Sequence, residues 1–291
     1  YRMAHINEPL YVAECDIEKF YDSVNHKIIK KLFSDLLNKA ANEFPQLNFE
    51  NTTHIFSEYL NCYAFNKNVP LKTDVKYWDD YRIPNGKFEW IDKRLEELKY
   101  YNNIEDERIG VPQGGALSGL IANIVLDYAD KEVQKTNVFY IRFCDDMVII
   151  HPSLQECDEA KRRYINALKY LKLIQHEFNM EINNIVNNTK KSIPNSTFKP
   201  FWKCKSKGPY VWDKIENFGL PWIGFVGYEI NYKGDVRVRK KSLHKELNKQ
   251  EKVITEIKKV IKNGTRKSNG TITESAIHRL IGMSVGRITI R

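Results

Sequence analysis

The sequence lacks the cysteine and histidine spacings that mark disulfide frameworks and zinc sites. Five cysteines, an odd number, occur in 291 residues, and no two of them form a C-x-x-C pair. This count excludes a closed set of disulfides and gives no support to a thiolate zinc site. The seven histidines show no H-E-x-x-H spacing, the signature of many zinc hydrolases. We therefore expect a cytoplasmic protein, since disulfides mark oxidising compartments.

Long hydrophobic runs are also missing from the sequence. No apolar stretch reaches the roughly 18 residues that a membrane-spanning helix needs. The opening residues YRMAHINEPL do not have the pattern of a signal peptide. No membrane is therefore expected among the partners. With 291 residues, the chain can bury a substantial core and corresponds to one large or two moderate domains.

Acidic residues are outnumbered by basic ones, 37 to 46, which leaves a formal net charge of +9. A basic surface favours a polyanionic partner, and nucleic acid is the first candidate. A basic protein without such a partner is the simpler alternative, which charge alone does not exclude. The densest basic clusters are residues 30–31, 161–163, 190–191, 203–207 and 237–241. Most of them lie in the second half of the chain, where we expect the polyanion to bind.

Two adjacent carboxylates interrupt an otherwise continuous apolar run. Residues 138–150 read VFYIRFCDDMVII, in which aromatic and β-branched residues flank Asp145 and Asp146. This pattern predicts two short strands joined by a tight turn, with the acids in or beside that turn. Ionised carboxylates in such a half-buried turn repel each other and need either protons or a cation. Ordinary turn chemistry also explains an Asp-Asp pair and, taken alone, is the simpler interpretation.

A third carboxylate makes a metal site the better interpretation. Residues 11–17, YVAECDI, predict another short apolar strand with Asp16 near its end. If Asp16 converges with the acid pair, three carboxylates supply the oxygen ligands that Mg²⁺ prefers. Two Mg²⁺ ions about 4 Å apart clamp the attacking and leaving oxygens of a phosphoryl transfer. The sequence therefore predicts a site for two Mg²⁺ ions, with Mn²⁺ as an alternative, that acts on nucleotides.

The segments next to these acids offer parts of a nucleotide pocket. Tyr21 and Phe20 follow Asp16 closely, and one ring is expected beneath the sugar, although Phe20 is better explained as a core residue. Farther along, VPQGG precedes an apolar helix pattern. Gly114 there would let backbone amides approach a phosphate, and Gln113 is expected to face the base or sugar. Packing against a neighbour is the alternative reason for a glycine at this position.

Two regions have less definite patterns. Residues 42–109 mix helical patterns with a turn-rich segment and predict a helical insertion or connection. Residues 175–220 look irregular, with basic residues interleaved with aromatic ones. That composition is expected either in a nucleic-acid contact by charge and stacking or in an ordinary loop over a satellite core. The sequence does not decide between these two.

The C-terminal part of the sequence predicts a hairpin followed by a helical unit. Residues 222–239, WIGFVGYEINYKGDVRVR, alternate apolar and polar positions around a Lys-Gly-Asp turn. Arg237 and Arg239 then share one face of the second strand, which suits either a phosphate backbone or a solvated edge strand. Residues 242–291 contain two helical patterns joined by a basic loop and are expected to form a small separate unit.

Taken in order, four motifs resemble the palm of reverse transcriptases: a strand with Asp-x4-Tyr, PQGG before a helix, a DD hairpin and a G-x-x-G hairpin. The resemblance covers residues 11 to about 245 and is greatest to the prokaryotic group of group II intron, retron and phage-defence enzymes. It implies an α+β fold, a right-hand polymerase palm whose antiparallel sheet is backed by helices. The palm is expected at residues 1–241 and the start of a helical thumb at 242–291.

The family's fingers, which supply basic residues for the triphosphate, are expected to be mostly absent from this chain. The chain is then a fragment, or its numbering covers part of a longer protein, or another chain completes the site. Two further departures concern single positions. Phe143 stands where the family usually has a tyrosine before the acid pair, and Gly119 where many relatives have proline.

The resemblance assigns roles to individual residues. The family's metal-binding acids fall on Asp16, Asp145 and Asp146, with the Ile17 carbonyl as a further ligand. The ribose-discriminating aromatic falls on Tyr21, and by analogy a lysine near 190 or 191 protonates the leaving pyrophosphate. The implied nucleotide-binding residues are Tyr21, Phe20, Gln113, Gly114 and Lys190. The implied primer- and template-binding residues of the primer-grip hairpin are Gly224, Phe225, Gly227, Tyr228, Arg237, Arg239 and Lys240.

The activity that this resemblance implies is RNA-templated DNA synthesis, in which a primer 3′-hydroxyl is extended with dNTPs. The expected partners are an RNA template, with a structured noncoding RNA as one candidate, a DNA primer or product, and either a second copy or a partner protein. The expected setting is bacterial anti-phage defence. Two alternatives stay open: a template-independent or protein-primed DNA polymerase of the same fold, and a non-catalytic scaffold that binds nucleic acid.

Overall fold

Two β-sheets hold the predicted acids and the predicted primer-grip segment. The computed structural model of the protein describes residues 1–68, 94, 95, 97–179, 201, 204–214, 219–262, 274, 277 and 278. Within these ranges the strands are β1 Leu10–Cys15, β2 Phe139–Phe143, β3 Asp146–His151, β4 Phe178–Asn179, β5 Ser206–Trp212, β6 Trp222–Phe225, β7 Tyr228–Asn231 and β8 Val236–Val238.

Helices cover one face of the larger sheet. In the described ranges they are α1 Phe20–Ser23, α2 His26–Glu43, α3 Glu50–Cys62, α4 Phe65–Asn68, α5 Ser118–Gln134, α6 Leu154–Tyr170 and α7 Lys240–Lys262. Helices α5 and α6 pack against each other, and α6 also packs against β1 and β3. None of the described helices is both long and apolar enough to cross a membrane.

The larger sheet has five strands in the order β2-β3-β1-β5-β4. Strand β1 lies at its centre and is antiparallel to β3 on one side and to β5 on the other. The register pairs Cys15 with Met147 and Glu14 with Val148. Among the strands that the structure describes, only β4 is parallel to its neighbour. The predicted α+β architecture, an antiparallel sheet backed by helices, is therefore confirmed.

Side chains of β1 are buried on both faces of the sheet, as expected for a central strand. Ala13 and Cys15 point to the helices and belong to a core with residues of α2, α5 and α6. Leu10 and Val12 point to the opposite face, where they pack with Tyr210 and other residues of β3 and β5. Because successive side chains of a strand alternate between faces, Asp16 shares the second face with Val12. The acid therefore lies on the side away from the helices.

The predicted hairpin at residues 222–239 is a three-stranded meander, so that prediction is wrong in its strand count. Strand β7 pairs with both β6 and β8. The first turn, at Val226 and Gly227, has φ angles of 47° and 84°. The sequence pattern did not indicate this turn, because the alternation of apolar residues that predicts a strand continues through Val226 and Gly227. Ile223 of β6 is buried against β1 and β3, which attaches the smaller sheet to the larger one.

The prediction of an irregular region at residues 175–220 is also wrong, because β5 lies within it and pairs with β1. The described aromatic residues of the region favour the core alternative. Phe201 and Tyr210 are fully buried and Trp212 is 2% exposed. Of the region at 42–109, the described part forms α3, α4 and a 3-10 turn at Ile104–Asp106, in line with the helical prediction. The thumb boundary at residue 242 stays a prediction, with α7 beginning at Lys240.

Candidate active site

The sheet brings the three predicted carboxylates to one edge. Asp16 directly follows the last residue of β1. Asp145 lies in the two-residue loop between β2 and β3, and Asp146 is the first residue of β3, paired with Phe143. Since Cys15 is opposite Met147, the end of β1 meets the start of β3. The hairpin predicted from residues 138–150 and the strand predicted at residues 11–17 therefore place their acids together.

The three carboxylates are close enough for their charges to affect one another's ionisation. The pKa of Asp145 is raised above its ordinary value, first by the loss of surrounding water and then by the charge of Asp16. The pKa of Asp146 is raised by the same loss of water and by the charges of Asp16 and Asp145. Both shifts mean that the folded protein disfavours the ionised forms. A bound cation would remove this penalty.

The donor chemistry of the group fits Mg²⁺, although no complete cage is preformed. Among the residues described, no three His, Cys, Asp or Glu side chains are arranged to hold a metal ion by themselves. Mg²⁺ is usually held by one or two carboxylates together with substrate phosphates and water, so a preformed cage is not required. Ile17, the predicted carbonyl ligand, follows Asp16 with its side chain buried and its backbone bridged to Gln175.

Two residues that the sequence analysis did not single out also contact Asp16. The Nζ of Lys205 lies 3.2 Å from Oδ2 of Asp16, and the Nε2 of His176 lies 3.6 Å from Oδ1. Lys205 and His176 also contact each other, at 3.1 Å. The backbone N–H of His176 donates to the Asp16 carbonyl at 3.0 Å. A cation of the protein therefore already balances one of the three carboxylates.

A sequence signal for Lys205 existed in the spacing of charges. Glu14 and Asp16 are two residues apart, as are Lys205 and Lys207, and this spacing puts each pair on one face of a strand. In the structure Glu14 is opposite Lys207 in the sheet, and their side chains meet at 2.8 Å. The next acid and lysine along the same two strands are Asp16 and Lys205. The sequence analysis did not predict that β5 pairs with β1, and without that pairing the contact between Lys205 and Asp16 could not be inferred.

Tyr21 links the carboxylates to the glycine turn. Its pKa is raised by burial and then by the charges of Cys144 and Asp145, which places the phenol near the acid hairpin. Its backbone carbonyl accepts a hydrogen bond from the N–H of Val111 at 2.7 Å. Phe20, by contrast, is 2% exposed within the helical core, as its core interpretation requires. Tyr21 is therefore the ring of this pair that can face a nucleotide.

The predicted anion-binding turn lies just ahead of α5. Gln113 and Gly114 are exposed, and α5 begins at Ser118. Gly114 has a φ of +77° with open space around it, so a left-handed turn requires glycine there. Gly115 is different, because a side chain at this position would collide with the Tyr59 hydroxyl. The packing alternative thus explains Gly115 but not Gly114.

The two predicted primer-grip arginines, Arg239 and Arg237, have different surroundings at the smaller sheet. The Arg239 guanidinium lies against the backbone of Gly224, where a side chain would displace it. The backbone N–H of Arg239 donates to the Gly227 carbonyl at 2.9 Å. The charge of Arg239 also lowers the pKa of Asp146, which partly offsets the rise caused by the other acids. This arginine therefore lies between the meander and the carboxylates.

Arg237 has partners within the sheet rather than a free guanidinium. Its Nε lies 2.8 Å from Oε2 of Glu229, and its guanidinium stacks on the ring of Trp222 at 3.7 Å. Tyr228 is 43% exposed, and Phe225 is half-buried against the larger sheet. Lys240 is exposed at the start of α7. Lys190, the predicted proton donor, lies outside the described residues.

The chain is similar to known proteins in sequence and in structure. Residues 60–184 match the family model described as reverse transcriptase (RNA-dependent DNA polymerase). This segment includes Gln113, Asp145 and Asp146, whereas Asp16 and Tyr21 precede it. No curated protein sequence matches the chain.

Two telomerase structures are similar to the chain at low identity. One is the apo telomerase of Candida tropicalis truncated from its C-terminal domain, with 15% identity, a TM-score of 0.39 and coverage of 82% of this chain and 38% of that one. The other is the telomerase of Candida albicans in complex with a TWJ fragment of telomeric RNA, with 14% identity, a TM-score of 0.40 and coverage of 81% and 32%. The chain therefore spans about a third of the length of these proteins.

Proposed function

We propose that the protein is an RNA-templated DNA polymerase of the reverse transcriptase family that extends a primer 3′-hydroxyl with dNTPs, because residues 60–184 match that family's model. One observation carries the proposal. Asp145 and Asp146 lie within the family segment and Asp16 outside it, yet the sheet brings all three to one edge. Three mutually repelling carboxylates at one edge are unfavourable for the fold unless they bind a cation. Their presence therefore favours a catalytic site over a non-catalytic scaffold.

The carboxylates Asp16, Asp145 and Asp146, with the Ile17 carbonyl, are the proposed ligands for divalent cations. When bound, two Mg²⁺ ions would lower the pKa of the primer hydroxyl and stabilise the charge that develops on pyrophosphate. The protein's own part is to orient and to select. Tyr21, whose ring lies near the acid hairpin, is proposed to exclude a ribose 2′-hydroxyl.

The proposed nucleotide and nucleic-acid contacts surround these acids. Gln113 and the exposed amides at Gly114 face the base, sugar or phosphates of the incoming dNTP. Arg239, held against Gly224 beside the carboxylates, is proposed to contact a phosphate near the primer terminus. Lys240 and the basic face of α7 extend this positive surface toward the duplex.

Lys205 is our proposed proton donor to the leaving pyrophosphate. It is the lysine that the described residues place at the carboxylates, 3.2 Å from Asp16, and its side chain is 58% exposed, so its ammonium is accessible to a phosphate. Lys190, to which the family resemblance assigns this role, lies outside the described residues. A lysine ammonium both offsets phosphate charge and donates a proton to the leaving oxygen.

Replacing Lys205 with alanine is expected to lower kcat for dNTP addition by about 10- to 100-fold, the usual contribution of a general acid. The KM for dNTP should change much less. Lys205→Arg keeps the charge but donates its proton poorly, so it should restore only part of kcat. Rapid-quench primer extension measures both. Lys135→Ala, which removes an exposed lysine paired with Glu132, is the matched control, and an unchanged kcat in Lys205→Ala would refute the role.

The activity itself is tested by primer extension on defined templates. The full-length protein is incubated with Mg²⁺, four dNTPs and a DNA primer annealed to an RNA of mixed sequence. We expect cDNA whose sequence is the complement of that RNA, and little product when the RNA is omitted. Product of unrelated sequence, or equal product without RNA, would contradict the proposal.

The proposed biological setting is defence of a bacterium against phage. Its support is the likeness of the ordered motifs to phage-defence reverse transcriptases. We expect the protein, expressed with its neighbouring genes, to reduce phage plaque number, and the Asp145→Asn/Asp146→Asn variant to lose this effect. Equal plaque numbers with and without the protein, over a panel of unrelated phages, would contradict the proposed role in defence. The proposed polymerase activity would not be affected by that result.

A further inference from the structure

The turn that carries the catalytic carboxylates contains a residue in an unfavourable backbone conformation. Cys144, the first of two loop residues between Phe143 and Asp146, has a φ of 54°. Tight hairpins prefer glycine where the first loop residue has positive φ, because a β-carbon there is crowded. The conformation persists only if neighbouring groups hold it. Asp145 and Asp146 follow directly, so whatever holds this turn also sets their direction.

Arg142 contacts the turn at its strained residue. Its Nη1 donates to the Cys144 carbonyl at 3.0 Å, which crosses over the loop from the strand that enters it. The same nitrogen lies 3.5 Å from Oδ1 of Asn123 on α5. A carbonyl fixed by a guanidinium fixes the orientation of the peptide unit that leads into Asp145.

The guanidinium is itself fixed by helix α5. Its Nε donates to Oδ1 of Asp130 at 2.7 Å, and its Nη2 donates to Oδ2 at 2.6 Å, the two-point geometry that orients an arginine plane. The Tyr140 hydroxyl donates to the same carboxylate at 2.6 Å. The Arg142 and Asp130 side chains are 10% and 19% exposed. This arrangement is far better shielded than an ordinary surface ion pair.

We propose that Arg142 is a positioning residue for polymerisation, which acts through the Cys144 carbonyl. Its pairing with Asp130 ties the acid hairpin to α5, and its hydrogen bond to the carbonyl keeps the loop in the left-handed conformation that aims Asp145 and Asp146. The inference rests on the proposed polymerase function and adds a specific cause for the geometry of its carboxylates. A purely structural ion pair would stabilise the fold without governing this turn.

A double-mutant cycle with Cys144→Gly separates these two roles. Glycine adopts positive φ without crowding, so in its presence the clamp should matter much less. We expect Arg142→Met to lower kcat by about 10- to 100-fold when Cys144 is present, as expected for misplaced catalytic groups, but by no more than about threefold in the Cys144→Gly background. Assays are run well below the lowest unfolding temperature of the four proteins, and Arg142→Lys replaces Arg142→Met if the latter does not fold.

A second readout does not depend on activity. Mn²⁺ affinity, measured by electron paramagnetic resonance, should fall about tenfold on Arg142→Met with Cys144 present and little in the Cys144→Gly background, because the carboxylates must be aimed to bind. If the wild-type protein incorporates no nucleotide but Mn²⁺ binding follows this pattern, the polymerase proposal fails, while the role of Arg142 in positioning the carboxylates for a cation stands. Arg94→Met, which removes a 46% exposed arginine paired with Glu97, is the matched control and should change neither quantity.

Three results would overturn the inference. The first is an Arg142→Met protein with unchanged kcat and Mn²⁺ affinity. The second is an equal loss with Cys144 present and in the Cys144→Gly background, which would mean that the turn is not the route of the effect. The third comes from the charge-swapped pair Arg142→Asp/Asp130→Arg. It can regain the ion pair and the thermal stability but not the bond to the Cys144 carbonyl, so a return of kcat along with stability would make the pair merely structural.

Discussion

Replacing Asp145 and Asp146 with asparagine is expected to lower nucleotide incorporation by at least about a thousandfold. Catalytic residues that act as a unit lose nearly all of their effect on the rate when members of the unit are removed. Asparagine has the size of aspartate but lacks the charge that holds divalent cations. Binding of nucleic acid should be spared, since the proposed contacts lie on Arg239, Lys240 and α7. Single-turnover extension measures the chemistry, and fluorescence anisotropy of a labelled duplex measures binding.

The same variant should be more stable than the wild-type protein when metal is chelated at neutral pH. The raised pKa values of Asp145 and Asp146 mean that the folded state binds their protons more tightly than the unfolded state does. Stability of the wild-type protein therefore falls as pH rises from the ordinary value of 3.8 through the raised values, and stays reduced above them. The advantage of the variant should be present at pH 7 and should shrink near pH 4. Urea unfolding at the two pH values measures the difference.

Asp127→Asn is the control for these two expectations. Asp127 is exposed on α5 and is paired with Lys131 on the helix surface. Neither incorporation nor the pH dependence of stability should change in this variant. Retention of incorporation by the Asp145→Asn/Asp146→Asn protein would refute the proposed metal site. A lower stability at neutral pH in EDTA would instead show that the acids are not mutually repelled in the folded state.

Shortening Tyr21 to alanine or valine is expected to reduce the preference for dNTP over rNTP by about 100-fold, a magnitude that a single steric contact can supply. The effect should appear mainly as a higher kcat/KM for rNTPs, because removing the ring opens space for the 2′-hydroxyl. The position of the phenol supports this expectation, since its pKa is raised first by burial and then by the charges of Cys144 and Asp145, and the residue is partly exposed. Single-nucleotide addition with matched dNTP and rNTP measures the ratio.

Tyr21→Phe separates the ring from its hydroxyl. If the ring provides the steric barrier, the phenylalanine variant should discriminate almost as well as the wild-type protein. Phe20→Leu serves as the second control, because Phe20 is a core residue whose change should affect stability but not selectivity. An unchanged dNTP preference in Tyr21→Ala would mean that this ring only packs against the core and that the barrier lies elsewhere.

Local patterns in the sequence were sufficient where the structure is local. The hairpin at residues 138–150 was predictable because aromatic and β-branched residues flank a short polar interruption, which marks the position of the turn. The strand before Asp16 was predictable for the same reason. Whether Asp16 meets the acid pair depends on tertiary structure, namely the register of β1 with β3. The sequence alone does not give that register, so the metal site was predicted only on the condition that the acids converge.

The elements that sequence reasoning missed depend on pairing between distant segments. Strand β5 contains Gly208 and Pro209, which read as turn residues, and its place beside β1 comes from burial of Tyr210 and Trp212 on the face away from the helices. Lys205 then reaches Asp16 because the two strands are neighbours. Similarly, Arg142 could be recognised only once α5 was known to place Asp130 beside β2. Periodicity describes one segment at a time and carries no information of this kind.

The measurement that tests the central claim most directly uses the full-length protein, purified with any nucleic acid that it carries. It is incubated with Mg²⁺ and with each dNTP singly and all four together, with and without prior RNase treatment. RNA-templated synthesis predicts product that requires all four dNTPs and disappears after RNase. Product made from one or two dNTPs that survives RNase would contradict templating by RNA, and the absence of product under every condition would contradict a polymerase altogether.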